Sequence, residues 1–436
     1  MSAFGVISAD TLAITVDLDR SNMGRTPEIV QQPLRAVYIE NQELLYPKIL
    51  EQLPNSDSRL LFVAYISTLF HETRHSHDLM SSMHGVTWIQ NICRFALNYA
   101  AVLIKVADCV KSNHLTEVRL PLTQDVLAFD PLVQRLHGDY QRFKAKRATF
   151  RRPGGIFDPN LTHGNLLEAS AFMIQLDAID TLFGEEQTAA FLAWTRDTPE
   201  RALYLGSLEA AVDRIRKPVF DEFRASGVLA LIVWSALQGA TPDPAPRGHF
   251  IDLLTYFEAL LEFLTRRRAV PTLEKALGLV EDFRRSWGLT TLAAQVRWAC
   301  NDVEAYSAKL AKEASARQYH GPAIDVLNAT ARAFAQFSSQ ILEAPELYFP
   351  GAAYCAHWHT FPGVPRYVVA QAEVHMASVP HAFVDLDTWD MFTMAESIVR
   401  LLFDGIGFCS HSIHDRRAIE LIEETVGVQV VDGLLF

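Results

Sequence analysis

The sequence predicts a mainly α-helical protein with a small β contribution near the N-terminus. Apolar residues recur at helical spacing over most of the 436 residues, which favours amphipathic helices over strands. One stretch, Thr11–Asp17, alternates polar and apolar residues as strands do, and we expect it to form an edge strand. A hydrophobic fraction of 49% provides enough apolar side chains to bury a site inside a multi-helix body.

The helical signals begin after an N-terminal segment of 58 residues. Ten amphipathic segments follow, at 59–83, 88–112, 165–183, 186–195, 199–215, 219–238, 249–268, 272–287, 291–315 and 322–342. Three prolines at alternate positions between Gly239 and Gly248 exclude a regular helix there, and a second break runs from Arg152 to Pro159. After Pro350 the chain changes character, because histidine and aromatic residues become frequent.

The most informative stretch is residues 71–75, which read His-Glu-Thr-Arg-His. It follows an apolar run, Leu60 to Phe70, that is typical of a buried helix. On a helix, His71 and His75 lie one turn apart on the same face, so both imidazoles can bind one Zn²⁺. The carboxylate of the intervening glutamate then points toward the open coordination position, where it can act as a base for a zinc-activated water.

This pattern resembles the zincin metallopeptidases, whose shared signature is His-Glu-x-x-His on a helix. The resemblance covers about residues 60–85 and one later helix. It implies a zincin-like helical core in which His71 and His75 bind zinc. It also implies that Glu72 is the general base for the hydrolysis of a peptide bond.

The third zinc ligand distinguishes the branches of the zincins. The metzincin branch requires Gly at position 78 and His at position 81, where this sequence has Asp78 and Ser81. The gluzincin branch takes a glutamate from a later helix, and the resemblance assigns this role to Glu168. Thermolysin-like members carry an acidic residue four positions further on, where this chain has Phe172. The chain is therefore expected to be a divergent, gluzincin-like member.

Two interpretations of Glu168 stay open from the sequence. The small residues Ala169, Ser170 and Ala171 favour the close approach of two helices that a shared metal requires. Asn165 followed three residues later by Glu168 also fits an N-cap with its capping-box partner, which is a purely structural role.

Five further residues have expected roles. Asp78 is expected either to orient a ligand imidazole or to belong to a polar patch at the end of the motif helix. His163, with Tyr204 as an alternative, is a candidate for stabilising the oxyanion of the reaction. His77 lies on a different helix face from the ligands and is expected at the surface. Gly85 is expected to end the motif helix.

These features predict four consecutive regions. They are an N-terminal segment at 1–58, a helical zinc-binding catalytic region at 59–240, a helical region at 249–345 and a His- and aromatic-rich region at 346–436. The last region is expected to be loop-rich and to cover the zinc cleft. Within it, His411, His414 and Asp415 offer either a second metal site or surface and packing roles.

Composition restricts the partners. A net charge of −12 argues against nucleic acid as the main partner, because phosphate binding relies on positive charge. We expect a protein or peptide substrate. We also expect an activating or inhibiting protein partner, which would bind the part of the chain outside the catalytic unit. The five scattered cysteines form no Cys-x-x-Cys pair and predict reduced thiols in the cytoplasm. The apolar runs 95–110 and 227–240 are interpreted as buried helices, so no membrane partner is expected.

Three function classes follow from the motif. A zinc-dependent metallopeptidase acting on an intracellular protein or peptide is the expected class. The alternative is a non-catalytic helical scaffold or binding protein with a structural or incidental metal site. A di-metal carboxylate oxidase shares the half-motif Glu72-x-x-His75, but it requires a second Glu-x-x-His, which the sequence lacks.

Overall fold

A computed structural model of the chain describes residues 5–7, 14–17, 46–122, 130–155, 161–196, 222–239, 251–266, 273–316, 323–361, 366–371, 375–379, 386–406 and 413–432. Within these residues the protein is mainly α-helical, as the sequence predicts. The helices are α1 (Tyr46–Gln52), α2 (Ser56–Met80), α3 (Met83–Ser112), α4 (Pro131–Arg151), α5 (His163–Phe183), α6 (Glu185–Arg196), α7 (Glu222–Leu237), α8 (Leu253–Thr265), α9 (Leu273–Ser286), α10 (Leu292–Ala316), α11 (Ala323–Glu343), α12 (Pro345–Tyr348), α13 (Gly351–His357), α14 (Leu386–Asp404) and α15 (Ile413–Val426). A 3₁₀ turn, Trp358–Thr360, follows α13, and the strands are β1 (Gly5–Ile7), β2 (Ile14–Asp17), β3 (Glu117–Leu120), β4 (Arg366–Gln371), β5 (His375–Val379) and β6 (Gln429–Asp432).

Most predicted helices match observed ones closely. The predicted segments 165–183 and 291–315 correspond to α5 and α10 with shifts of at most two residues at either end. The predicted segment 199–215 lies outside the described residues. The expectation of a loop-rich C-terminal region is wrong for its described end, because α14 and α15 are regular helices. Helical spacing was present there, and it places side chains of α14 in the core: Ala395, Ile398, Val399 and Leu402 are all fully buried.

The N-terminal strand is not the edge strand that the sequence predicts. In a four-stranded sheet of order β1-β2-β5-β4, β2 lies between two antiparallel neighbours. Its Val16 faces Gly5 of β1 and Met376 of β5. The alternation in the sequence identified the strand correctly, but its second neighbour comes from the far end of the chain, which local periodicity does not reveal.

The chain forms two compact units, each built from three separated stretches. The first unit comprises residues 1–86, 150–302 and 332–381, and the second comprises 87–149, 303–331 and 382–436. The four consecutive regions predicted from the sequence do not coincide with these units. The motif helix α2 and the helix that carries Glu168, α5, belong to the first unit.

In the first unit, α2 is buried on every side along its middle. The relative exposure of all residues from Phe62 to Ile66 is 0%, as expected for a helix that is apolar around its whole circumference. α2 packs antiparallel to α5, since Phe62 contacts Phe183 and Ser67 accepts a hydrogen bond from Gln175 Nε2 at 3.0 Å. This packing brings the second half of α2 alongside the first half of α5.

In the second unit, β3 and β6 pair in parallel, and α4 binds α14 through charged side chains. Tyr140 donates a hydrogen bond to Asp404 Oδ2 at 2.7 Å, and Lys144 Nζ lies 2.9 Å from Asp404 Oδ1. Arg147 pairs with Glu396. Positive side chains of α4 therefore pair with carboxylates of α14 in this unit.

Both apolar runs lie in helices, but only the second is buried throughout its helical part. Residues 227–237 of α7 are all buried. The run 95–110 in α3 is buried along one face only, since Ile104 is 58% exposed and Lys105 and Asp108 are exposed as well. In the described part of the chain, no helix has the length and apolar character needed to cross a membrane. Cys93, Cys109 and Cys355 are free thiols, and Cys409 lies outside the described residues.

The motif helix ends before Gly85, which corrects the sequence prediction. α2 ends at Met80, where Ser81 caps it by donating its backbone N–H to the carbonyl of His77 at 2.9 Å. Gly85 lies in the first turn of α3, where a Cβ atom would come within 2.0 Å of the carbonyl oxygen of Leu79. Glycine is therefore required by the close approach of two helices and not by a helix end.

We expect Gly85→Ala to lower the free energy of unfolding by about 2 kcal/mol or more, because the added methyl group overlaps backbone that cannot move cheaply. Gly278→Ala is the matched control. Gly278 is exposed within α9 with nothing within 4 Å of an added Cβ, so alanine should stabilise the protein by about 0.5–1 kcal/mol. Urea unfolding followed by circular dichroism measures both changes. Equal midpoints for the two variants would contradict the assigned role of Gly85.

Candidate metal centre

Helix α2 presents His71 and His75 one turn apart within a buried segment. The helix begins with Asn55 as N-cap, whose side chain accepts a hydrogen bond from Ser58 N at 2.8 Å. From there the apolar run is buried up to Phe70, so the chain enters the motif already packed in the core. Both ligands are therefore presented by a helix whose position is set by tertiary packing.

Helix α5 begins one turn earlier than the capping interpretation of Glu168 requires. Its N-cap is Thr162, whose hydroxyl accepts from the backbone N–H of Asn165 at 3.1 Å. The side chain of Asn165 in turn accepts from the backbone N–H of Thr162 at 3.1 Å, which completes a capping box. The alternative that Asn165 caps the helix with Glu168 as its partner is wrong, and the carboxylate of Glu168 makes no cap.

Glu168 instead contacts the two motif histidines. Its Oε2 lies 3.0 Å from His71 Nε2 and 3.5 Å from His75 Nε2, and the two Nε2 atoms are 3.1 Å apart. The next residues, Ala169, Ser170 and Ala171, are buried, and their small size allows the close helix contact. Among the described residues, His71, His75 and Glu168 form a group that could hold a metal ion.

The spacing of the three ligand atoms matches one face of a zinc coordination tetrahedron. Zinc–ligand distances of 2.0–2.1 Å in tetrahedral geometry separate neighbouring ligand atoms by about 3.3 Å. The three observed separations, 3.0, 3.1 and 3.5 Å, lie on both sides of this value. The residues present therefore fit a tetrahedral zinc ion with shifts of a few tenths of an ångström.

The chemistry of the donor atoms points the same way. Two Nε2 atoms at 3.1 Å cannot both carry a proton, because two N–H groups would face each other. At least one imidazole therefore directs a lone pair into the space that the carboxylate of Glu168 also faces. With neither Nε2 protonated, a cation would satisfy the two imidazole lone pairs and the carboxylate at once.

The electrostatics keep Glu168 ionised. Burial disfavours the ionised carboxylate, but the interactions of Glu168 with His75 and His71 outweigh this effect. The pKa of Glu168 therefore lies well below its usual range. The side chain is 34% exposed, against 12% for His71 and 6% for His75, so Glu168 is the most exposed of the three.

Glu72 is buried on α2, with a relative exposure of 6%. It follows His71 directly, about 100° further round the helix. Its role as general base stays a prediction.

Asp78 does not orient either ligand, which corrects one of the two expected roles. Its Oδ2 accepts a hydrogen bond from Arg74 Nε at 3.1 Å, and its Oδ1 accepts one from the hydroxyl of Tyr348 at 2.8 Å. His77 is not at the surface either. It is fully buried, and a hydrogen bond of 2.8 Å joins its Nδ1 to the hydroxyl of Tyr354.

Of the candidates for an oxyanion donor and for a second metal site, only His163 has a described side chain. His163 is the first residue of α5, where its Nε2 lies 3.6 Å from Asp252 Oδ1 and its ring contacts His84. Its backbone is about 7 Å along the helix axis from that of Glu168. Tyr204 lies outside the described residues, as do the side chains of His411, His414 and Asp415.

Sequence analysis missed Arg74 and its partners near the site. Arg74 lies between His71 and His75 in the sequence and is fully buried. Tyr348 and Tyr354 pack against its guanidinium. A signal was present, because an arginine within a helix that is apolar all round must find a buried acceptor. The sequence did not identify that acceptor, since the carbonyl group of Tyr348 is 274 residues away in the chain.

Compared with protein-family models, with curated proteins and with the solved structures, the chain gives no match. The assignment of a function therefore depends on the geometry and chemistry of the residues themselves.

Proposed function

We propose that the protein is a zinc-dependent metallopeptidase in which His71, His75 and Glu168 bind the metal and Glu72 is the general base. The convergence of the three ligand atoms within hydrogen-bonding distance of one another carries this proposal. Among the described residues the cluster has three ligands. Catalytic zinc sites use three protein ligands and leave a position open, whereas structural sites usually use four.

The partial exposure of Glu168 supports a catalytic over a purely structural site. A structural zinc site is closed to solvent, while a substrate must reach the open position of a catalytic one. The 34% exposure of the Glu168 side chain leaves such access, and the near-complete burial of His75 anchors the other side. The resemblance of residues 71–75 to the zincin signature makes a peptide bond the proposed substrate, in a protein or peptide of the cytoplasm.

The side chains of this chain would divide the reaction between them. When bound, zinc lowers the pKa of a coordinated water to about 7 and polarises a substrate carbonyl. The two imidazoles and the carboxylate of Glu168 hold the ion. Glu72 would take the proton from the attacking water and deliver it to the leaving amine. His163 and Tyr204 remain the proposed sources of the oxyanion contact.

We expect the purified protein to contain about one zinc ion per chain, and we expect His71→Ala and Glu168→Ala to lose it, since each removes one of three ligands. Elemental mass spectrometry measures the metal content. His137→Ala is the matched control, because His137 is exposed on α4 in the other compact unit. Unchanged zinc in both ligand variants would contradict the proposed centre, and zinc lost only in His71→Ala would reassign the third ligand.

A further inference from the structure

A buried polar network lies against the ligand-bearing turns of α2. Arg74, with no exposed surface, donates from Nε to Asp78 Oδ2 at 3.1 Å and from Nη1 to the carbonyl oxygen of Tyr348 at 2.7 Å. The hydroxyl of Tyr348 returns to Asp78 Oδ1 at 2.8 Å. Three side chains and one carbonyl thus form a closed ring of hydrogen bonds between α2 and α12.

Aromatic packing holds this ring rigid. The guanidinium carbon of Arg74 lies 4.0 Å from the ring centre of Tyr348 and 5.2 Å from that of Tyr354. Tyr354 is hydrogen-bonded to His77, whose ring packs edge-on against Phe337.

The segment 345–357, which carries Tyr348 and Tyr354, also contacts α5, the helix of Glu168. The backbone N–H of Gly351, the first residue of α13, donates to Asp177 Oδ2 on α5 at 3.1 Å. A Cβ atom at position 351 would lie 2.0 Å from that oxygen, so only glycine permits this approach. The stretch 345–357 therefore contacts both helices that supply ligands, α2 through Arg74 and α5 through Asp177.

A small rotation of α2 about its axis would disrupt the cluster. An imidazole Nε2 lies about 6 Å from the axis of its helix, so a rotation of 20° displaces it by about 2 Å. A metal site tolerates only about 0.5 Å of such displacement. Arg74 and Asp78 are on the same two turns as His71 and His75, which is where a contact opposes this rotation most directly.

We infer that Arg74, Asp78 and Tyr348 are positioning residues of the metal centre, which hold the ligand turns of α2 in register with α5 through the segment 345–357. The inference rests on the proposed function, because it presupposes that the cluster binds a metal. None of the three residues touches the metal or the substrate. Their effect is on affinity for the ion and on the geometry around it.

Tyr348→Phe tests this inference, because it removes one hydrogen bond and keeps the ring. Co²⁺ alone is the probe, since its visible absorption bands report the coordination geometry directly. We expect Tyr348→Phe to weaken Co²⁺ binding about tenfold, the lower end of the effect of residues that support metal ligands. We also expect the absorption bands to shift. Asp78→Ala, which removes the acceptor for the Tyr348 hydroxyl and also the charge opposite Arg74, should weaken binding further.

Tyr256→Phe is the matched control in the same compact unit. The hydroxyl of Tyr256 is likewise buried, bonded to Ser235 Oγ at 2.7 Å and to Arg284 Nη1 at 3.1 Å, but on helices that carry no ligand. Loss of stability alone should affect both tyrosine variants similarly, so a changed Co²⁺ spectrum in Tyr348→Phe only would support positioning. Wild-type affinity and spectrum in Tyr348→Phe, or equal changes in Tyr256→Phe, would overturn the inference alone. Absence of binding in the wild-type protein would overturn the proposed function with it.

Discussion

Glu72→Gln is expected to lower the rate of peptide hydrolysis at least a hundredfold while zinc stays bound at the wild-type level. The amide has nearly the same shape as the carboxylate but cannot accept a proton, and loss of a general base typically lowers the rate by about 10²–10⁴-fold. The three proposed ligands are untouched, so metal content should not change. Dye-quenched casein reports hydrolysis as kcat/KM, and elemental mass spectrometry of the same samples reports zinc.

Glu258→Gln is the matched control for this substitution. Glu258 is also a buried glutamate of the first compact unit, with 2% exposure, but it lies on α8 and outside the ligand cluster. We expect this variant to keep its activity, which separates the chemical role of Glu72 from a general effect of an amide in the core. Wild-type hydrolysis by zinc-loaded Glu72→Gln would exclude the proposed mechanism.

The half of the site that lies on one helix was predictable from the sequence. His71 and His75 are four residues apart, and helical geometry alone places them on one face. The observed contact of 3.1 Å between their Nε2 atoms confirms that placement. The contact of Glu168 with His71 was harder to predict, because the two residues lie 97 positions apart on different helices. The resemblance to gluzincins was needed to select Glu168.

The surroundings of α2 were not predictable in this way. His77 was expected at the surface because it lies on a different helix face from the ligands. In a helix buried on all sides, however, every face meets a partner. Asp78 and Gly85 were misjudged for the same reason, since their partners, Tyr348 and Leu79, are defined by tertiary contacts. Spacing within one element reports which residues share a face but not what covers that face.

Arg74→Met is expected to lower the free energy of unfolding by about 3–5 kcal/mol. The pair of Arg74 Nε and Asp78 Oδ2 is buried, with side-chain exposures of 0% and 1%. Removal of the arginine leaves an uncompensated carboxylate in the core, and this is the costly step. Urea unfolding followed by circular dichroism measures the change.

An exposed pair with the same helical spacing provides the control. Arg266 and Glu262 are also four residues apart, at 2.9 Å, but their side chains are 76% and 43% exposed. Arg266→Met should change the free energy of unfolding by no more than about 1 kcal/mol, because water screens exposed pairs. Equal effects of the two substitutions would contradict the assignment of Arg74 to a buried network.

The double variant Arg74→Met with Asp78→Asn separates stability from positioning. It removes both charges, and replacement of a whole buried ion pair is often nearly neutral, so we expect it to regain much of the stability that Arg74→Met loses. The hydrogen bond from residue 74 to the carbonyl oxygen of Tyr348 is not restored, so one of the two links between α2 and α12 stays broken. If the network positions the ligands, Co²⁺ binding should stay weak although the fold has recovered. Recovery of both together would mean that the network acts on the metal centre only through the stability of the fold.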